Sequence, residues 1–208
     1  MGLRRKTIKV CLITSILDPE PFEQTEVITD YSMDTLYNKK RVPYIEKNNG
    51  TLVLTQNSDY KRAIEHYNKA LFAIKILLED QNLNVGENFA VKVIEEVEIP
   101  VSSNLSLCYL KEKDYQNVIK YADRLLEMDD NNVKILYRRG LAYTYLMEFE
   151  KAKEDLLKAN KIEPSNKTIL EGIKIYKEKK HEYKNNSQKF SQKIFEEKTS
   201  MEIHSFMF

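Results

Sequence analysis

At 208 residues the chain is long enough to bury a substantial core, as one domain or one and a half. Charged residues make up 31% and apolar ones 42%, and the net charge of +1 excludes a global electrostatic pull toward nucleic acid or a membrane surface. The two cysteines, Cys11 and Cys108, belong to no C-x-x-C pair, which disfavours a disulfide framework or zinc site and fits a reducing, cytoplasmic compartment, while five Gly and five Pro suit long helices with short turns.

In chain order, residues 1–42 form a poorly defined N-terminal segment with some β-like apolar content but no clear period. The opening "MGLRRKTIKVCLITSIL" has the outline of a signal peptide, but Lys9 interrupts the apolar run, no small-residue cleavage site follows and "DPEP" comes next. Gly2 does not predict myristoylation, because Lys6 stands where Ser or Thr is needed. No stretch reaches the about eighteen apolar residues of a membrane span.

Residues 43–165 read as three helix–turn–helix units. The first helix of the first unit contains the β-branched "TLVLTQNS"; the second is "DYKRAIEHYNKALFAIKILLED", patterned by Tyr60, Ala63, Tyr67 and Ala70. An insertion at about 81–98 is expected to extend the flanking helices or to form a loop between them. "NLSLCYLKEKDYQNVIKYADRLLEMD" predicts a helix to about Lys111, a turn at Glu112–Asp114 and a helix over Tyr115–Met128. "VKILYRRGLAYTYLMEFEKAKEDLLKANKIEP" repeats that plan and stops at Pro164. Residues 166–198, with Ile169, Ile173 and Tyr176 at helical spacing, predict a C-terminal capping helix, and 199–208 a tail. The basic, partly amphipathic end of that helix also has the character of a calmodulin target.

Self-similarity identifies the architecture. At an offset of 34, Tyr115 pairs with Phe149, Val118 with Ala152, Leu125 with Ala159, Cys108 with Ala142, Tyr109 with Tyr143 and Ser106 with Gly140. Tyr115/Phe149 and Tyr109/Tyr143 recur as large positions and Cys108/Ala142 and Ser106/Gly140 as small ones, as stacked helix pairs require. Thirty-four is the tetratricopeptide spacing, so the predicted fold is all-α, an α-solenoid of three such units with a capping helix.

Lys134 and Arg138 stand one turn apart in "VKILYRRG", where like charges repel by a few tenths of a kcal/mol. Asn104 lies one period before Arg138, so the two occupy the same repeat position. Two cations and an amide donor on equivalent first helices suit a carboxylate ligand, bound through charge-assisted hydrogen bonds. The C-terminal carboxylate of a peptide fits that role.

"NLSLCYLKEKDY" and "KILYRRGLAYTYLMEFEKAKEDLLKANKIEP", with the closing "KFSQKIF", resemble the tetratricopeptide domain of the large immunophilins, the FK-type peptidyl-prolyl isomerases, over roughly Val42 to Phe195. The resemblance implies a co-chaperone adaptor. In that family a two-carboxylate clamp holds the C-terminal Met-Glu-Glu-Val-Asp of the heat-shock protein 90 chaperone, and the expected partner of this chain is the acidic C-terminal tail of a heat-shock protein 90 or 70 chaperone. Residue by residue, Asn104, Lys134 and Arg138 correspond to clamp positions, Lys47 to the first clamp lysine and Thr51 to a position where Asn is commonest. The first repeat departs from the pattern: Gly50 to Tyr60 is ten residues where Ser106 to Tyr115 is nine, and the family's Phe-Lys turn is missing.

Isomerase chemistry is not expected, since some forty residues before the repeats are too few for that family's catalytic domain. His66, His181 and His204 have no metal-ligand spacing, no Ser or Cys motif names a partner base, and no Gly-rich loop would cradle phosphate, so no catalytic residue, metal or cofactor is assigned. "VIEEVEIP" is superficially like the chaperone tail, but it is internal and lacks a terminal carboxylate. Two alternatives stay open: the C-terminal part of an isomerase whose catalytic half is missing or degenerate, and a scaffold whose clamp is vestigial.

Overall fold

The structure is a computed structural model describing residues 36–80 and 85–206. Those residues are helical throughout apart from short connections, with no strand among them. The chain divides into two compact units at Glu112/Lys113.

In the first unit, α1 (Leu36–Asn57) packs against α2 (Tyr60–Glu79). The stripe Ala63, Tyr67, Ala70, Ile74 and Leu77 on α2 is wholly or almost wholly buried, as 3.6-residue periodicity requires. The pair is close because Gly50 of α1 sits over the Tyr67 ring: a Cβ there would lie 2.7 Å from Tyr67 Cε1. Ser58, at φ 50°, turns the chain, and Asp59 caps α2 by accepting the Arg62 N–H at 3.1 Å. α1 begins at Leu36, inside the stretch that the sequence left without a period.

From Glu87 onward the insertion is helix. α3 (Glu87–Val93), a π-helical turn (Ile94–Glu98) and α4 (Ile99–Lys111) run on without a break. Pro100 explains the turn: it has no N–H to offer the carbonyl four residues back, that of Glu96, and its ring crowds that carbonyl. The helix widens instead of stopping, with Ile99 N–H reaching the Ile94 carbonyl.

The second unit holds α5 (Tyr115–Met128), α6 (Val133–Tyr145), α7 (Phe149–Ile162) and α8 (Lys167–Phe206). Asp114 and Asn132 cap α5 and α6 through their side chains, and Met147, at φ 62°, turns α6 into α7. Gly140 of α6 meets Leu156 of α7 as Gly50 meets Tyr67: an added Cβ would stand 2.8 Å from Leu156 Cγ. Leu156 lies seven residues after Phe149 and Tyr67 seven after Tyr60, so the two glycines are equivalent. The extra residue of the first repeat therefore lies between Gly50 and Asn57 inside α1, since Ser58, Lys113 and Met147 make the same left-handed turn.

α8 covers α6 and α7, burying Ile169 and placing Gly172 against the Tyr137 ring. It runs as helix to Phe206, through the stretch expected to be a tail. Phe149 meets Tyr176 and Tyr183 with ring centroids 6.2 and 5.4 Å apart.

Arg139 ties three helices together. Its Nε and Nη2 donate to the two oxygens of Asp155 on α7 at 2.7 and 2.8 Å, and Nη1 donates to Asp123 on α5 at 2.6 Å. Those bonds, Asp155 foremost, raise the guanidinium pKa further above its ordinary value against the opposing effect of burial.

Two stability outcomes follow from this packing. Gly140→Ala gains helix propensity of about 1 kcal/mol but drives a methyl into the branch point of Leu156, where overpacking costs about 1–3 kcal/mol. A net loss, lowering the thermal midpoint by a few degrees, is expected in calorimetric or circular-dichroism melts. Arg139→Ala strands the buried Asp155 carboxylate and is expected to cost about 3 kcal/mol in urea unfolding. Asp155→Ala in the same background should return part of that loss; full additivity would dismiss the network.

Candidate functional site

Lys47, Thr51 and Asn104 lie in the first unit; Lys134 and Arg138 lie in the second. Each group has its own geometry.

In the first unit a residue absent from the predicted set, Tyr67, joins two of the three. Its hydroxyl stands 3.0 Å from Asn104 Nδ2 and 3.2 Å from Thr51 Oγ1, while Thr51 Oγ1 donates to the Lys47 carbonyl at 2.9 Å. Each hydroxyl has one proton, so the donors run in one direction. Asn104 N–H donates to Tyr67, Tyr67 O–H to Thr51, and Thr51 O–H to the backbone of α1. Were the Asn104 amide reversed, its oxygen would take the Tyr67 proton and the approach to Thr51 would hold none. Burial pushes the Tyr67 phenol pKa up, although the bonds from Thr51 and Asn104 oppose it, and the hydroxyl keeps its proton.

The sequence hint was slight. Tyr67 fills the position held by Ala122 and Leu156 in the other units, a core site where an aromatic reads as packing. The ring is packing, being fully buried; only the hydroxyl has a second task.

Lys47 Nζ donates to the Glu96 carbonyl at 3.0 Å, the carbonyl that Pro100 leaves without its α-helical partner. Tyr44, one turn before Lys47 on the same helix face, has its phenol pKa raised by burial first and then by the charge and hydrogen bond of the Glu96 side chain. The internal "EEVE" stretch is thus helical, with Val97 and Glu98 buried. His66 pairs with Glu46 of α1, Nδ1 to Oε2 at 2.7 Å, which gives it a structural place.

In the second unit Lys134 and Arg138 stand on successive turns of α6. Lys134 is exposed and has no ion pair among the described residues, whereas Arg138 is buried. Arg139, beside them, carries both of the carboxylates just described, Asp123 and Asp155. No group of three or more metal-ligating side chains occurs among the described residues, nor does a helix apolar enough to cross a membrane.

The tetratricopeptide repeat family model matches residues 100–132 and 133–166. FK506-binding protein 59 of Drosophila melanogaster is 32% identical over 123 residues, 59% of this chain and 28% of that protein. The peptidyl-prolyl cis-trans isomerase FKBP4 of Rattus norvegicus is 28% identical over 152 residues, 73% of this chain and 32% of that protein. The chain thus spans less than a third of the length of these curated relatives. Among solved structures, the C-terminal TPR-containing domain of a Plasmodium falciparum FK506-binding protein superposes with a TM-score of 0.59 at 29% identity, covering 78% of this chain and 99% of that one. The Hsp90 co-chaperone Cns1 of Saccharomyces cerevisiae shares the fold, with a TM-score of 0.56 at 24% identity over 77% of this chain and 46% of that one. Residues 100–166 are tetratricopeptide repeats, and the chain is homologous to the tetratricopeptide region of the FK506-binding proteins.

Proposed function

We propose that this chain is a protein–protein interaction adaptor that binds the acidic C-terminal tail of a heat-shock protein 90 or 70 chaperone through a carboxylate clamp. The observation carrying this reading is the distribution of charge on α6. Asp123 and Asp155 go to Arg139, and Lys134 is left exposed without an ion pair among the described residues, one turn from Arg138. In the proposed clamp Lys134 and Arg138 pair with terminal and side-chain carboxylates of the tail, and Asn104 bonds the terminal carboxylate or backbone. Lys47 and Thr51 take the remaining positions. Homology to the tetratricopeptide region of FK506-binding proteins supports the assignment.

A second reading, a scaffold with a vestigial clamp, draws on one observation: the Lys47 ammonium already holds the Glu96 carbonyl. A carboxylate must displace that bond or share the remaining two N–H groups. The relatives' isomerase activity is not carried over, because the matched stretches are their tetratricopeptide regions, and no robust acceleration of isomerisation is expected in a proline-peptide assay.

Titration calorimetry with Met-Glu-Glu-Val-Asp, free acid and C-terminal amide in parallel, separates the two readings. The clamp gives a Kd of about 1–10 μM for the acid and little binding for the amide. Arg138→Ala should cost roughly 1–3 kcal/mol of that binding. Lys134→Ala should weaken it too while moving stability by less than about 0.5 kcal/mol, since the side chain is exposed. Equal binding of acid, amide and a scrambled peptide would sink the clamp and leave the scaffold.

A further inference from the structure

Within the clamp reading, and resting on it, we infer that Tyr67 is a positioning residue that fixes the Asn104 amide for its ligand. The hydroxyl 3.0 Å from Asn104 Nδ2 accepts one amide N–H and passes its own proton to Thr51 Oγ1 at 3.2 Å. One N–H of Asn104 is thereby committed, and the amide plane is held by a ring that is fully buried beneath Gly50. The second N–H remains as the donor for a carboxylate oxygen, and the amide oxygen remains as an acceptor for a backbone N–H of the same peptide residue. A freely rotating Asn would have to be ordered on binding; this one is ordered beforehand, so the ordering cost is already met within the fold.

The same chain of bonds redefines Thr51. Its proton goes to the Lys47 carbonyl at 2.9 Å, so it has none left for a carboxylate. Thr51 meets a peptide as an acceptor, receiving an N–H, and differs in that respect from an Asn at the same place. The ligand that suits this half is therefore the last residue of a chain, carrying a carboxylate for Asn104 and a backbone N–H beside it.

Tyr67→Phe keeps the ring and removes only the hydroxyl. In titrations with Met-Glu-Glu-Val-Asp free acid it is expected to weaken binding about threefold to tenfold, the equivalent of one hydrogen bond. Asn104→Ala should weaken it comparably or more, and the double variant no further than Asn104→Ala alone. That non-additivity is a readout which general loosening of the fold would not produce. Multiplying effects, or Tyr67→Phe binding as wild type does, would overturn the inference while leaving the adaptor reading in place. Failure of the wild-type chain to bind the acid overturns the adaptor reading and this inference with it. Should Tyr67→Phe not fold, the side-chain amide of Asn104 in 15N-labelled wild-type protein decides: slowed solvent exchange of one of its two protons upholds the assignment, and equal rapid exchange of both refutes it.

Discussion

The structure depends on the close approach of paired helices at two glycines. Gly50 over Tyr67 and Gly140 over Leu156 leave no room for a methyl group, with contacts of 2.7 and 2.8 Å to the nearest ring or branch carbon. Side chains on the paired faces can interdigitate only because these positions are empty, and the buried stripes on α2 and α7 follow from that. The Gly50 contact has a further consequence: it seats the Tyr67 ring at the depth where its hydroxyl reaches both α1 and α4. A steric fact thus becomes a hydrogen-bonding one.

Most of the helix plan was legible because it consists of volume. The offset of 34 pairs the aromatics Tyr115 with Phe149 and Tyr109 with Tyr143, and the small residues Cys108 with Ala142 and Ser106 with Gly140, positions that packing constrains strongly. The turn before Tyr115 and the break at Pro164 were legible as local chemistry. The insertion was less so, since Pro100 ordinarily argues for a helix end, yet here the backbone passes it by widening into a π turn. Tyr67 was hidden for a different reason. An aromatic at a core position needs no further explanation, and the acceptor of its proton lies 16 residues earlier on another helix. The role of Arg139 was equally hidden, because Asp123 and Asp155 stand 16 residues away on either side and nothing local joins them.

The neighbouring arginines illustrate how a fold divides like charges by environment. Arg139 spends a planar fork on the bidentate Asp155 and a further N–H on Asp123, a geometry lysine could not match. The Asp155 carboxylate must be stripped of water before it is paired, which offsets part of the attraction, whereas Asp123 stays half-exposed. Once both aspartates are committed, they no longer neutralise the exposed Lys134 on the same helix. The structural ion pairs and the exposed Lys134 share one helix, and altering the first changes the field around the second.

Lys47 marks the opposite case, a cation whose partner is supplied by a backbone defect. Without an N–H at Pro100, the Glu96 carbonyl would be left in search of a donor, and the Lys47 ammonium is 3.0 Å away. A carbonyl is a weaker acceptor for an ammonium than a carboxylate, because only the latter carries charge. Exchange of one for the other is therefore favourable at the ammonium and unfavourable at the carbonyl, which loses that donor. The balance turns on solvent: Lys47 is only half-exposed, whereas Glu96 is exposed, so water can reach the carbonyl's neighbourhood. The bond to Glu96 holds the Lys47 ammonium in place while leaving it partly open to solvent.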